Sequence, residues 1–204
     1  MGLPELPELA GQRRIGLTGG IATGKSSVGR LLEARGLPVL DADGYAREAL
    51  APGSVGERAV LERYGEGVRA PNGALNRAAL GQIVFDDPAE RRWLENLVHP
   101  IVRHRFEEDL QQQARAATVV LMIPLLFEAG LESLCSEVWL VDCDETQQLQ
   151  RLMARDRLSE AAARARMAAQ WPLARKRALA TMVIDNRGQP NALVSQVEQA
   201  LRRP

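Results

Sequence analysis

The sequence predicts an α/β fold in which helices pack against a parallel, five-stranded sheet. Five short apolar runs alternate with helical patterns along the 204 residues, and such alternation favours parallel strands joined by right-handed crossovers. A glycine-rich turn separates the first apolar run from the first helical pattern. The composition, 46% hydrophobic and 25% charged, is that of an ordinary globular domain.

The first elements flank the glycine-rich turn. The first strand is Arg14–Thr18, which reads "RIGLT". A helix, "KSSVGRLLEARG", follows the turn, and we expect it to stop near Gly36 because glycine is common just past helix C-termini. The second strand is Leu37–Asp43, which reads "LPVLDAD" and carries proline near its start.

Three further strands complete the predicted sheet. The third, Ala117–Pro124, is the continuous apolar run "ATVVLMIP", which is typical of a strand buried on both faces. The fourth is Glu137–Cys143, "EVWLVDC", and the fifth is Thr181–Asn186, "TMVIDN".

Two helical segments interrupt this pattern. Residues 45–115 form a segment too long for a simple crossover, which predicts a helical insertion beside the ligand-binding edge of the sheet. Residues 144–172 are rich in Arg and Ala, which predicts a small helical lid. Asp144 with Gln147 forms a capping-box pattern, and Ser159 is a second expected N-cap. The predicted organisation is a core of residues 14–44 and 116–204, an insertion of residues 45–115, a lid of residues 144–172 and a loose tail of residues 1–13.

Charge and composition exclude several classes of function. The 26 basic and 26 acidic residues balance, which argues against a nucleic-acid or polybasic membrane surface. No apolar run is long enough to span a membrane and no signal peptide opens the chain, so we expect a cytoplasmic protein. Cys135 and Cys143 are expected to be small buried thiols, and His99 and His104 are five residues apart, which is the wrong spacing for a helical metal pair.

The glycine-rich turn has the spacing of a phosphate-binding loop, Gly19-x4-Gly24-Lys25-Ser26. Its glycines let successive backbone N–H groups approach phosphate oxygens, and the following helix adds its positive end. Lys25 would reach the β and γ phosphates, and the Ser26 hydroxyl would bind Mg²⁺. The loop predicts a bound nucleotide, but by itself it leaves the fate of the terminal phosphate open.

Residues at the carboxyl ends of the other strands bear on that fate, because ligands of open parallel sheets bind there. Asp41 and Asp43 end the second strand and share one face if the chain is still extended. Such a carboxylate could accept a proton from an attacking hydroxyl or hold Mg²⁺. Arg47 follows Asp43 by four residues and could bind a phosphorylated acceptor. The alternative is a solvated turn with a surface ion pair.

The lid segment offers arginines. Arg151 and Arg155 are four residues apart and share a helix face. They could close on the phosphates and stabilise the transferring group, or simply belong to a solvated surface helix whose polar face includes Gln147 and Gln150.

Four alternatives to a kinase specific for one acceptor must be weighed at this point. A switch GTPase would fit "DADG" (Asp41–Gly44), but the chain has no Asn-Lys-x-Asp guanine-binding motif. A motor ATPase needs an acid where Met122 and Ile123 end the third strand. A kinase for another small molecule, or a nucleotide-binding regulator with slow hydrolysis, would share the loop.

An ordered set of further motifs resembles the dephospho-CoA kinase family. The blocks are "IGLTGGIATGKSSV", "VLDADGYAR", "NRAALGQIVF", "LENLVHPIV", "IPLLFEAGL", "VWLVDCDETQQLQRLMARD" and "VIDNRG", and they cover about Arg14 to Gln196. The resemblance implies a P-loop NTPase three-layer fold like that of nucleoside-monophosphate kinases, with a helical acceptor subdomain and a lid. It implies that ATP phosphorylates the ribose 3′-hydroxyl of dephospho-CoA, the last step of coenzyme A synthesis.

The resemblance also implies roles for individual residues. Asp43 is expected to be the base, Lys25 and Arg151 to act on the phosphates, Arg47 and His99 to bind the acceptor, and Ser26 to bind Mg²⁺. The expected ATP-binding residues are Gly19, Gly20, Ala22, Thr23, Gly24, Lys25, Ser26, Ser27, Arg151 and Asn186. The implied partners are ATP and dephospho-CoA, with no nucleic acid or membrane, and the expected assembly is a monomer or small homo-oligomer.

The chain departs from the family pattern at three places. Ala22-Thr23 stands where Gly-Ser is frequent, Met122 where some members have an acid, and Thr181 where Asp commonly precedes the fifth strand. The departures at Ala22-Thr23 and at Met122 are expected to have little effect on activity. Thr181 is expected to change a local contact but not the chemistry.

Overall fold

A computed structural model describes residues 11–203. They form two compact units, one made of the residues up to Asp41 and from Gln112 onward, the other of Ala42–Gln111. Most of the predicted tail, through residue 10, lies outside the described residues. Across residues 11–203, every helix is too short or too polar to cross a membrane.

The first unit contains the predicted sheet. Its strands are β1 (Arg13–Gly19), β2 (Val39–Asp41), β3 (Thr118–Met122), β4 (Glu137–Asp142) and β5 (Met182–Asp185). They lie in the order β2-β3-β1-β4-β5, and every neighbouring pair is parallel. The prediction of a five-stranded parallel sheet is therefore confirmed.

Nine α-helices lie within the described part of the chain. They are α1 (Lys25–Glu33), α2 (Ala42–Ala49), α3 (Val55–Tyr64), α4 (Arg77–Asp86), α5 (Pro88–Gln112), α6 (Glu145–Asp156), α7 (Glu160–Ala168), α8 (Leu173–Leu179) and α9 (Pro190–Leu201). The helix after the loop ends at Glu33, and Gly36 follows with a positive φ of 78°.

The core of the first unit lies between the sheet and the helices α1 and α9. Alternate β1 residues, Ile15 and Leu17, are fully buried against Val28 of α1 and Val197 of α9. This periodicity follows from the strand, in which every second side chain points to the same face.

The opposite face of β1 is packed just as closely. A Cβ on Gly16 would lie 2.6 Å from Cys135 Sγ and 2.8 Å from Leu126 Cδ1, so only glycine fits there. The expectation of buried thiols holds for Cys143, whereas Cys135 is partly exposed. Burial raises the pKa of the Cys135 thiol to about 12, and it also raises the pKa of Cys143.

The structure corrects the predicted end of β2. The strand pairs with β3 only as far as Asp41, and Ala42 already begins α2. Asp43 thus lies in the first turn of a helix, where the positive end of the helix dipole favours a carboxylate. The chain is therefore no longer extended at Asp43, and the condition under which Asp41 and Asp43 would share one face is not met.

Of the two predicted helix caps in the lid segment, one forms a side-chain hydrogen bond and the other does not. Ser159 caps α7 by accepting a hydrogen bond from the Ala162 N–H, as expected. Asp144 is the N-cap residue of α6, but its side chain accepts no hydrogen bond from the helix. Gln147 instead donates to the Arg187 carbonyl at 3.1 Å, so the predicted capping box does not form.

A buried ion pair fastens α8 to the segment after β3. Lys176 is fully buried, and its Nζ lies 2.7 Å from Glu128 Oε1 and donates to the Pro124 carbonyl at 3.3 Å. Glu128 also accepts the Trp171 N–H at 3.0 Å. These bonds join α8, and Trp171 just before it, to residues 124–128.

The second unit is helical, as the composition of residues 45–115 predicts. Tyr45 of α2 packs edge-on against Phe106 of α5, with ring centroids 4.9 Å apart. Arg63 of α3 makes a two-pronged bond to Glu90 of α5 at 2.7 and 2.8 Å. This arginine and a hydrogen bond from Tyr64 lower the pKa of Glu90 to about 2.

Candidate active site

The phosphate loop leaves the sheet at Gly19 and enters α1 at Lys25. Gly24 is the N-cap residue of α1 and adopts a φ of 103°, which L-residues rarely do. Because glycine has no side chain to cap the helix, the first N–H groups of α1 remain available for an anion.

Steric contacts require glycine at two positions of this loop. A Cβ on Gly19 would lie 2.6 Å from Thr23 Oγ1 and 2.7 Å from the Val141 carbonyl oxygen. A Cβ on Gly24 would lie 2.1 Å from Asn186 Nδ2. Neither position has room for a side chain, so contact requires glycine at both, and at Gly24 the backbone conformation requires it as well.

Ala22 also adopts a left-handed conformation, with a φ of 59°. This costs an L-residue about 1–2 kcal/mol, which glycine would not pay. The alanine side chain packs with Ile21 against a buried cluster of α6 and α7, formed by Leu149, Leu152 and Ala163. The motif spacing treats position 22 as free, but the structure constrains its backbone.

The polar side chains of the loop differ in their exposure and in their hydrogen-bond partners. Lys25 Nζ donates to the carbonyls of Gly19 and Gly20, at 3.3 and 3.0 Å, and so lies over the loop. Ser26 is exposed in the first turn of α1. Thr23 is buried, and its hydroxyl donates to the Gly20 carbonyl at 3.0 Å.

The end of β5 and the helix α6 converge on the same loop. Asn186, the residue after β5, donates from its side-chain amide to the Thr23 carbonyl at 2.8 Å. Arg151 of α6 donates to the Asn186 carbonyl at 2.9 Å. The Nη1 atom of Arg151 is buried and has no hydrogen-bond partner among residues 11–203. The structure thus brings Arg151, Asn186 and the loop together.

Arg155, the other arginine expected to act in the lid, forms an ion pair within its own helix. Its side chain bonds to both carboxylate oxygens of its neighbour Asp156, at 2.8 and 3.1 Å, and is largely exposed. Arg151, in contrast, donates to Asn186, a residue that touches the loop.

Two glutamines that touch the loop were missed by sequence reasoning. Gln148 Nε2 donates to the Ile21 carbonyl at 2.8 Å, and Gln170 Oε1 accepts the Ile21 N–H at 2.8 Å. One signal was present: Gln148 directly precedes Leu149 and lies four residues before Leu152, so it is a polar residue in the buried stripe of α6.

The residues expected to serve the acceptor lie in the second unit. Asp43 and Arg47 are exposed and four residues apart on α2. Arg77 donates to the Arg47 carbonyl at 2.8 Å, which fixes the C-terminal turn of this helix. His99 is exposed on α5, directly before Pro100.

Comparison with known proteins identifies a family. The family model described as dephospho-CoA kinase matches residues 13–191. A dephospho-CoA kinase of Synechococcus sp. (strain CC9605) is 66% identical over 192 residues, which are 94% of this chain and 93% of that protein. The TT1252 structure from Thermus thermophilus is 38% identical, with a TM-score of 0.83 over 93% of this chain and 96% of that one. The structure of dephospho-CoA kinase from Campylobacter jejuni is 26% identical, with a TM-score of 0.69 over 93% and 95%.

Proposed function

The chain belongs to the dephospho-CoA kinase family, and from that premise we propose how its residues divide the work of the reaction. ATP phosphorylates the ribose 3′-hydroxyl of dephospho-CoA, which yields coenzyme A and ADP in the last step of coenzyme A synthesis. The observation that carries the assignment of roles is the convergence of Lys25, Arg151 and Asn186 on one phosphate loop.

The phosphate loop, Lys25 and Arg151 bind ATP, the phosphate donor. Backbone N–H groups at the start of α1 bind phosphate oxygens, and Lys25 exchanges its bonds to two carbonyls for charge-assisted bonds to the β and γ phosphates. The unpartnered Nη1 of Arg151 donates to a phosphate oxygen and spreads the developing charge. Asn186 supports the loop from the side on which the adenine binds.

The Ser26 hydroxyl is the group that would bind the Mg²⁺ ion accompanying ATP. Magnesium usually takes one or two protein oxygens and completes its shell with substrate phosphates and water. An exposed hydroxyl in the first turn of α1 meets this need, and residues 11–203 contain no cluster of three or more His, Cys, Asp or Glu that would bind a metal instead. Ser26 would hold Mg²⁺ there, and the ion would neutralise negative charge on the phosphates of ATP.

The acceptor side uses α2 and α5. The 3′-oxygen attacks the γ-phosphorus, the bond from that phosphorus to the bridging oxygen of ADP breaks, and the hydroxyl proton passes to Asp43. Arg47 and His99 bind the acceptor. Support comes from the family match and from the exposure of all three side chains. We place the reaction in the cytoplasm, with ATP and dephospho-CoA as the partners.

A coupled assay of ADP release tests the reaction. Purified protein with ATP and Mg²⁺ should release ADP rapidly only when dephospho-CoA is added, and AMP, gluconate and shikimate should have no comparable effect. Equal stimulation by another acceptor would reassign the substrate. Slow release that no acceptor stimulates would favour a nucleotide-binding regulator.

A further inference from the structure

We infer that Gln148 and Gln170 are positioning residues that hold the phosphate loop in its binding conformation through the backbone of Ile21. We call this pair of contacts the glutamine clamp. Gln148 binds the Ile21 carbonyl and Gln170 binds the Ile21 N–H, each at 2.8 Å. The clamp rests on the proposed function, in which the loop binds the phosphates of ATP.

The backbone partners define the direction of both hydrogen bonds. A carbonyl oxygen can only accept, so Gln148 must present its NH₂ group, and an N–H can only donate, so Gln170 must present its oxygen. The fit is close on the Gln148 side, where a Cβ on Gly20 would lie 2.5 Å from Gln148 Nε2. Gly20 therefore makes room for the clamp.

The position of the clamp explains why the loop needs it. Ile21 directly precedes Ala22, whose left-handed backbone is strained for an L-residue. On the far side of Ala22, the Thr23 carbonyl is bound by Asn186 at 2.8 Å. The strained residue is thus held on both sides, so the loop backbone already has its conformation when a phosphate arrives. Such preorganisation spares the ligand the cost of ordering the loop.

The clamp also connects the loop to the segment proposed as a lid. Gln148 lies on α6, and Gln170 lies between α7 and α8. A cavity of about 710 Å³ is lined by both glutamines and by Gly20. A carboxylate in place of either amide would therefore border open space rather than a sealed core, so that glutamate variants should fold.

The opposite directions of the two bonds give a paired test. In Gln170→Glu the carboxylate still accepts the Ile21 N–H, whereas in Gln148→Glu an acceptor faces the Ile21 carbonyl and the bond is lost. Both substitutions add one negative charge next to the same residue, so the general repulsion of ATP is similar. We expect the Kd for ATP, measured by calorimetry, to rise about tenfold or more in Gln148→Glu relative to Gln170→Glu.

Two control variants accompany this pair. Gln150→Glu places the same charge on an exposed position of α6 and should leave the Kd unchanged. Gln170→Leu removes the acceptor and should weaken ATP binding about tenfold, so that recovery in Gln170→Glu shows rescue by an acceptor. Urea unfolding verifies that each variant folds.

Equal Kd values for Gln148→Glu and Gln170→Glu would overturn the clamp. If Gln148→Glu fails to fold, Gln148→Met and Gln170→Met replace the pair, and ATP binding as tight as in the wild type would overturn the inference. A wild-type protein that binds ATP but releases no ADP with dephospho-CoA would refute the proposed reaction and leave the clamp intact.

Discussion

Gly24→Ala tests whether close contacts, and not only loop flexibility, dictate the phosphate-loop sequence. The new Cβ would lie 2.1 Å from Asn186 Nδ2, a distance that no real contact allows. Asn186 must therefore turn away and release the Thr23 carbonyl. The left-handed backbone costs alanine about 1–2 kcal/mol, and the unsatisfied carbonyl costs about 1–3 kcal/mol. Together these terms lower the free energy of unfolding by about 2–5 kcal/mol.

Urea unfolding and ATP calorimetry measure the two consequences. Gly36→Ala is the matched control, because its φ of 78° imposes a similar backbone cost while no heavy atom lies within 4 Å of the new Cβ. We expect Gly36→Ala to lose only the backbone part of the stability and to bind ATP normally. The reasoning is refuted if both variants lose equal stability, or if Gly24→Ala binds ATP as tightly as the wild type.

Three further predictions concern catalysis, the buried ion pair and pH. Asp43→Asn should bind ATP normally but turn over about 10²–10⁴-fold more slowly, and Lys25→Ala should lose most of its turnover; unchanged rates in the coupled assay would remove these roles. Lys176→Met should cost about 3–5 kcal/mol in urea unfolding because Glu128 is left buried and unpaired, and adding Glu128→Leu should recover part of that loss; a larger loss in the double variant would contradict this account. The folded-state pKa of Glu90 is lowered from 4.5 to about 2, so its contribution is present above pH 4.5 and disappears as the pH falls toward 2. The stability difference between the wild type and Glu90→Gln should shrink over that range, and a constant difference would disprove the assignment.

The sheet could be predicted because its signals are local. Five apolar runs, each short and bounded by helical patterns, are enough to indicate parallel strands, and the phosphate loop lies at the predicted junction. The end of β2 was misplaced because apolar periodicity does not show where pairing stops. The strand has three residues, and the Asp43 that continues its alternation also suits the first turn of a helix.

The supports of the loop could not be predicted because they join distant parts of the chain. Ile21 and Gln148 are 127 residues apart, and Ile21 and Gln170 are 149 apart. A helical pattern shows which face of α6 is buried but does not show what that face touches. The capping box failed for a related reason, because Gln147 bonds to the Arg187 carbonyl 40 residues away.

The packing of Cys135 against Gly16 makes the thiols useful as reporters of opening. Cys135 Sγ packs so closely against β1 that a methyl group on Gly16 would lie 2.6 Å from it. Its pKa of about 12 also leaves almost no thiolate at pH 8 in the folded protein, whereas an unfolded cysteine ionises near 8.5. A thiol reagent should therefore modify Cys135 much faster in molecules whose β1 face has opened than in the closed fold. The rate at which Cys135 is labelled in native buffer would then report the rate of opening of the sheet, and no probe has to be introduced by mutation.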